Sequence, residues 1–150
     1  RTEFVMTLRI LTAFTLSACV SYAAAAQELK PRDAALRVMG ASINIPGSAA
    51  YCRSKGWLQD AELEPVVGWN KKHEGTMRKA IKVIEATGGM SASDREALDK
   101  IALRVVKAQI EDGDPKENCR ALISGLRANA LDLAAVPELK DALAVLERTP

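Results

Sequence analysis

From Pro31 onward the chain is punctuated for helices, and no run of β-branched residues in it is long enough for a strand. The one alternating stretch, Ser42 to Pro46, is too short to count as one. Pro31 suits a first helical turn, Asp33 favours the positive end and Gly40 reads as a stop. "INIPGSAA" then reads as a connector, with Ser48 capping a short helix that carries Cys52. Asp60 caps a long helix, which tolerates Pro65 in its first turns and ends at "TGG", 87 to 89. Ser93 with Glu96 makes a capping box for the next helix, and Gly113 stops it. Asp114, Pro115 and Glu117 restart a helix at once. After a break around "LDLAAV", Pro137 opens the last one.

The apolar positions inside these segments recur every three or four residues. Val66, Asn70, His73, Met77, Ile81 and Ile84 form one stripe, although Gly68 and Gly75 each weaken that helix by about 1 kcal/mol relative to alanine. Leu98, Ile101, Ala102, Val105 and Ala108 form the inner face of the next. Cys119, Leu122, Ile123, Leu126 and Ala130 share a third face, and Leu139, Leu143 and Leu146 a fourth. Short connections favour antiparallel neighbours, so the pattern predicts a small all-α antiparallel bundle. Its parts are three substantial helices, a shorter C-terminal one and two short N-terminal segments.

The first 26 residues read as a leader. Arg1 to Val5 precede Met6 and look like upstream sequence. From Met6 a basic residue, Arg9, is followed by an apolar stretch and a run of alanines. That is the order of a secretory signal peptide, cleaved after Ala26. The stretch is shorter and richer in Ser and Thr than the roughly 20 apolar residues of a membrane span. "LSAC", Leu16 to Cys19, resembles the lipobox of bacterial lipoproteins, which implies as an alternative an acylated Cys19 anchored in a membrane. Either reading predicts a periplasmic or secreted bacterial protein, and a membrane partner follows only from the second. The remainder divides into an N-terminal segment and connector, 27–47, and a helical bundle domain, 48–150.

Either fate of the leader uses up Cys19 and leaves Cys52 and Cys119. Two cysteines in an exported chain predict one disulfide. The 21 Lys and Arg and 19 Asp and Glu of the whole chain fall to 19 and 18 without Arg1, Arg9 and Glu3. A net charge near +1 with no block of one sign supplies no attraction to nucleic acid or anionic lipid.

Little in the sequence points to chemistry. "GWNKKHEG", 68 to 75, holds the one histidine, His73, but no metal-ligand spacing accompanies it. No G-x-S-x-G elbow is present, and a cysteine–histidine pair would need Cys52 or Cys119 free. "QDAELE" reads as a solvated helix start rather than a carboxylate pair. No enzyme and no cofactor is expected. The alternatives are a b-type haem carrier using His73 and Met39, since C-x-x-C-H is absent, and less specifically a hydrolase. Beyond the leader the aromatic residues are Tyr51, Trp57 and Trp69, all within 19 residues that also contain Cys52. They are either rings packed on a disulfide or a recognition patch. The sequence-level expectation is therefore a binding protein of the bacterial envelope (adaptor, chaperone or inhibitor-like) whose partner is another envelope or secreted protein. Its candidate contact residues are Tyr51, Trp57, Trp69, Asn70 and His73.

Overall fold

A computed structural model describes residues 28–150, so the expected leader, its cleavage after Ala26 and the fate of Cys19 lie outside the described residues. The chain is all-α: α1 (Pro31–Ser54), α2 (Glu64–Ala86), α3 (Ala92–Ile110), α4 (Pro115–Arg127) and α5 (Lys140–Arg148). Three single 3-10 turns, Asp60–Glu62, Leu133–Ala135 and Pro137–Leu139, shape the connections. No strand occurs among the described residues.

The N-terminal half departs most from the pattern read above. The two short segments expected there, with a connector at 43–50, are a single helix of 24 residues. It runs straight through Gly40 and Pro46, so the division at 47/48 falls inside a helix. An interior proline removes one backbone donor and costs about 3 kcal/mol in isolation. Here tertiary packing outweighs that cost, because α1 touches all four other helices. Its buried residues are mostly small: Ala34, Ala35, Ser42, Ser48 and Ala49. Small side chains let neighbours come close. At Gly47 a Cβ atom would already stand 3.4 Å from Val106 Cγ2 of α3. The buried hydroxyl of Ser42 is satisfied within the helix, donating to the Val38 carbonyl at 2.7 Å.

Around this spine the core forms two clusters. Toward the start of α1, Ala34, Ala35 and Val38 meet Ala80, Val83 and Ile84 of α2 and Ala142 and Leu146 of α5. Toward its end, Ala49, Tyr51 and Cys52 meet Val66 and Trp69 of α2, Val106 and Ile110 of α3 and Cys119 and Ile123 of α4. Cys52 and Cys119 are disulfide-bonded as expected, with sulfurs 2.02 Å and Cα atoms 5.9 Å apart across 67 residues of sequence. Both are fully buried. Closing a loop of that length stabilises the fold by about 4 kcal/mol in the chain-entropy picture.

The helix ends explain how the pieces are oriented. Gly88 (φ 106°) and Gly89 (φ 68°) turn the chain out of α2, and the Gly89 N–H donates back to the Ile84 carbonyl at 2.8 Å. Arg32, in the first turn of α1, crosses to this end and donates to the carbonyls of Ile84, Thr87 and Gly89 at 3.3, 2.8 and 2.7 Å. A guanidinium there satisfies orphan carbonyls and meets the negative end of the α2 dipole. The long helix itself begins after the 3-10 turn, so Asp60 does not cap it. Gln59 and Glu62 form a capping box on that turn instead.

α3 starts two residues earlier than Ser93 and Glu96 suggested. The Gly88–Gly89 turn delivers Ser91 already extended (φ −66°, ψ 163°), and Ser91 pairs reciprocally with Asp94. Its Oγ accepts from the Asp94 N–H at 3.1 Å, and the Asp94 carboxylate accepts from the Ser91 N–H at 3.2 Å. That carboxylate is held below the usual range by the Ser91 contacts. At the other end Asn118 of α4 donates its amide to the carbonyls of Ile110 at 3.0 Å and Asp112 at 2.7 Å. α4 is capped as expected, Asp114 accepting from the N–H groups of Lys116 and Glu117 at 2.9 and 3.2 Å. It ends in a Schellman motif: Asn129 takes φ 54°, and the Ala130 N–H donates to the Gly125 carbonyl at 2.9 Å.

Candidate functional site

The expected contact residues fall into two separate aromatic pairs, both set largely into the core. On α1, Tyr51 is buried and meets half-buried Trp57 edge-on, with ring centroids 6.1 Å apart. Its hydroxyl donates to the Glu111 carboxylate just beyond α3, which pushes the Tyr51 pKa up. Lys55 lies 5.5 Å over the same ring.

The second pair sits on α2. Trp69 and His73, one turn apart, are each only 6% exposed and stack with centroids 4.5 Å apart. Trp69 Nε1 donates to the Leu131 carbonyl at 2.7 Å, tying α2 to the segment after α4. The next residue, Asp132, caps the 3-10 turn through the Ala134 N–H at 2.9 Å and pairs with Lys72 at 2.5 Å. The Lys72 and Ala134 contacts hold its carboxyl below the usual range. His73 Nε2 lies 3.7 Å from the Asp132 carboxylate and makes no hydrogen bond. Burial pushes the His73 pKa down, Asp132 partly opposes this, and Lys72 adds to the lowering. The imidazole is thus enclosed between Trp69 and Asp132 at this corner of the fold. Asn70, on the same helix, is half-buried.

The haem partners read from the sequence, Met39 on α1 and His73 on α2, stand beside different clusters of the core. Met39 packs on the Ala34–Leu146 cluster, whereas Trp69, on which His73 stacks, belongs to the disulfide cluster. Both Cys52 and Cys119 are bonded, so neither is a nucleophilic thiol. Among the described residues, no group of three or more His, Cys, Asp or Glu is placed to hold a metal ion.

The exposed large apolar residues lie elsewhere, Val67 and Ile81 on α2 and Ile101, Leu103 and Val105 on α3. The expected inner face was Leu98, Ile101, Ala102, Val105 and Ala108. In the structure Val106 and Ile110 are buried, Leu98 and Ala102 are half-buried, and Ala108 is exposed. Ile101, Leu103 and Val105 are 55%, 54% and 37% exposed. The helix is rolled by roughly a quarter turn from the expected orientation, at about 100° per residue. Two contacts set the roll: Val106 against Gly47, and the Asn118 amide on the last carbonyls. α3 packs appreciably only on α1 and α4, and such a narrow seam hides few of its apolar residues.

Beside that seam runs a groove of about 350 Å³ between α1 and α3. Ile43, Gly47, Ala50 and Tyr51 form one wall, and Asp99, Ala102, Leu103 and Val106 the other. Tyr51 is the one expected contact residue that reaches it. A sequence signal for the groove was present: eight apolar residues lie between Leu98 and Ile110, more of the helix surface than one seam covers.

No protein-family model, curated protein or solved structure matches this chain.

Proposed function

We propose that the protein is a non-enzymatic binding module of the bacterial envelope that holds another polypeptide along the α1–α3 groove. The observation that carries this reading is the largely apolar groove between α1 and α3, at whose edge Leu103 stands 54% exposed. Ile101 and Val105, on the opposite side of the same helix, lie outside the groove. A contiguous apolar surface marks an interaction site more often than scattered apolar side chains do. The groove offers mainly apolar side chains with a tyrosine, and both aromatic pairs are committed to internal contacts. The buried disulfide supports an oxidising location. No helix among the described residues is long and apolar enough to cross a membrane. With the secretory pattern at residues 6–26, this favours the periplasm or the outside of the cell.

The test is a photo-reactive residue placed at Leu103 in cells, with Lys116 on α4 as the control position. A covalent adduct formed at 103 and not at 116 supports the groove as a docking site. Equal labelling at both positions, or none at either, overturns it.

A further inference from the structure

We infer that the occupant of the α1–α3 groove is a second copy of this chain, docked with the two α3 helices antiparallel about Leu103. The inference rests on the groove being a docking site and names its partner. Its basis is the charge pattern along the exposed edge of α3. Asp99, Leu103 and Lys107 are all exposed and succeed one another at single-turn spacing, about 6 Å apart along one edge of the helix. An acid and a base therefore stand at equal distances on either side of a leucine. A two-fold axis through Leu103 places Asp99 of each copy opposite Lys107 of the other. Two ion pairs then flank a leucine–leucine contact, and the second copy's Leu103 meets the groove mouth beside Ala50 and Gly47. The antiparallel arrangement also sets opposite ends of the two helix dipoles side by side.

The other exposed edge of α3 fails the same test. Ile101 and Val105 are also symmetric about position 103, but the residues one turn beyond them on α3, Ala97 and Gln109, carry no charge to pair across the axis. The pattern thus selects the groove edge for self-association and leaves the Ile101–Val105 edge outside the contact.

The experiment is sedimentation velocity of the oxidised protein over a concentration series, with helical circular dichroism as a check on folding. The wild type is expected to sediment as a dimer that dissociates on dilution. Leu103→Asp is expected to be monomeric and fully helical. Asp99→Lys and Lys107→Asp, each alone, should weaken association about tenfold by losing both cross-axis pairs and adding repulsion. The double swap Asp99→Lys/Lys107→Asp should restore it to within about threefold, which no purely structural role for either residue predicts. A monomeric wild type, or single swaps that the double swap does not rescue, overturns the antiparallel pairing. The photo-reactive residue at position 103 separates the two levels. An adduct with a different polypeptide leaves the groove a docking site but removes the second copy as its occupant. The lack of any adduct removes both.

Discussion

Trp69 is the residue whose removal most cleanly tests whether the aromatic region is core or contact surface. In Trp69→Phe the indole N–H is lost, and the Leu131 carbonyl, 2.7 Å away, is stranded in a partly buried site. Leaving such an acceptor unpaired costs about 1–3 kcal/mol. Phenylalanine also fills less of a site that is only 6% exposed, which adds about 1 kcal/mol for the void. The expected loss is thus about 2–4 kcal/mol, a large share of the roughly 5–15 kcal/mol of a domain this size. At roughly 4 °C for each kcal/mol, the midpoint of thermal unfolding should fall by about 8–16 °C. Urea unfolding of the oxidised protein, followed by helical circular dichroism, measures the free energy directly. Trp57→Phe is the control, because that ring is half-buried and its smaller void should cost less. A Trp69→Phe variant within about 0.5 kcal/mol of wild type would refute the account of Trp69 as the strut between α2 and the Leu131 segment.

Other outcomes follow from contacts described above. Reducing the Cys52–Cys119 bond, or replacing both residues with serine, should destabilise the protein by about 4 kcal/mol, read as a lower urea midpoint. Arg32→Ala removes the donor to three carbonyls at the end of α2 and should cost about 1–2 kcal/mol, with faster amide exchange confined first to residues 84–89. Acidification should destabilise the fold in two steps. The folded His73 pKa lies below its ordinary 6.5, so the unfolded chain takes up that proton first and stability falls as pH drops below 6.5. The folded Asp132 pKa lies below its ordinary 3.8, so the stability its contacts supply is present above 3.8 and is lost as pH falls through the folded value. His73→Gln should abolish the first step in a pH series of urea midpoints and leave the second.

How far the sequence foretold the fold depended on whether the deciding interaction was local. Asp114–Pro115 and the glycines at 88, 89 and 113 act through neighbouring backbone, and the structure places them at the helix boundaries read from them. The disulfide was also legible, because two cysteines beyond the expected leader leave only one possible pair. Gly40 and Pro46 misled because their local penalty is outweighed by four helices packing on α1, an effect with no signature within a short window. The roll of α3 was hidden for a related reason. With apolar residues around most of its circumference, periodicity could not choose the buried side, and a distant pair, Val106 against Gly47, chose it. The candidate site suffered most. "GWNKKHEG" drew attention by its residue types, yet burial decides their role, and it encloses Trp69 and His73. The groove that remains open is lined largely by residues with no chemical distinction.

Because α1 is the helix that all the others touch and precedes them in the described chain, the order in which the helices emerge bears on how they pack. Its partner α5 comes about a hundred residues later, so the cluster of Ala34 and Val38 with Ala142 and Leu146 cannot close until α5 has been made. Until then Ala34, Ala35 and Val38 have Ala80, Val83 and Ile84 of α2 to pack against but not Ala142 and Leu146. A nascent chain cut short before Lys140 keeps the disulfide partners but lacks that closing helix. Among the described helices the α1–α5 cluster is therefore the contact of longest sequence separation, and it closes only after the α1–α4 contacts around the disulfide have become available.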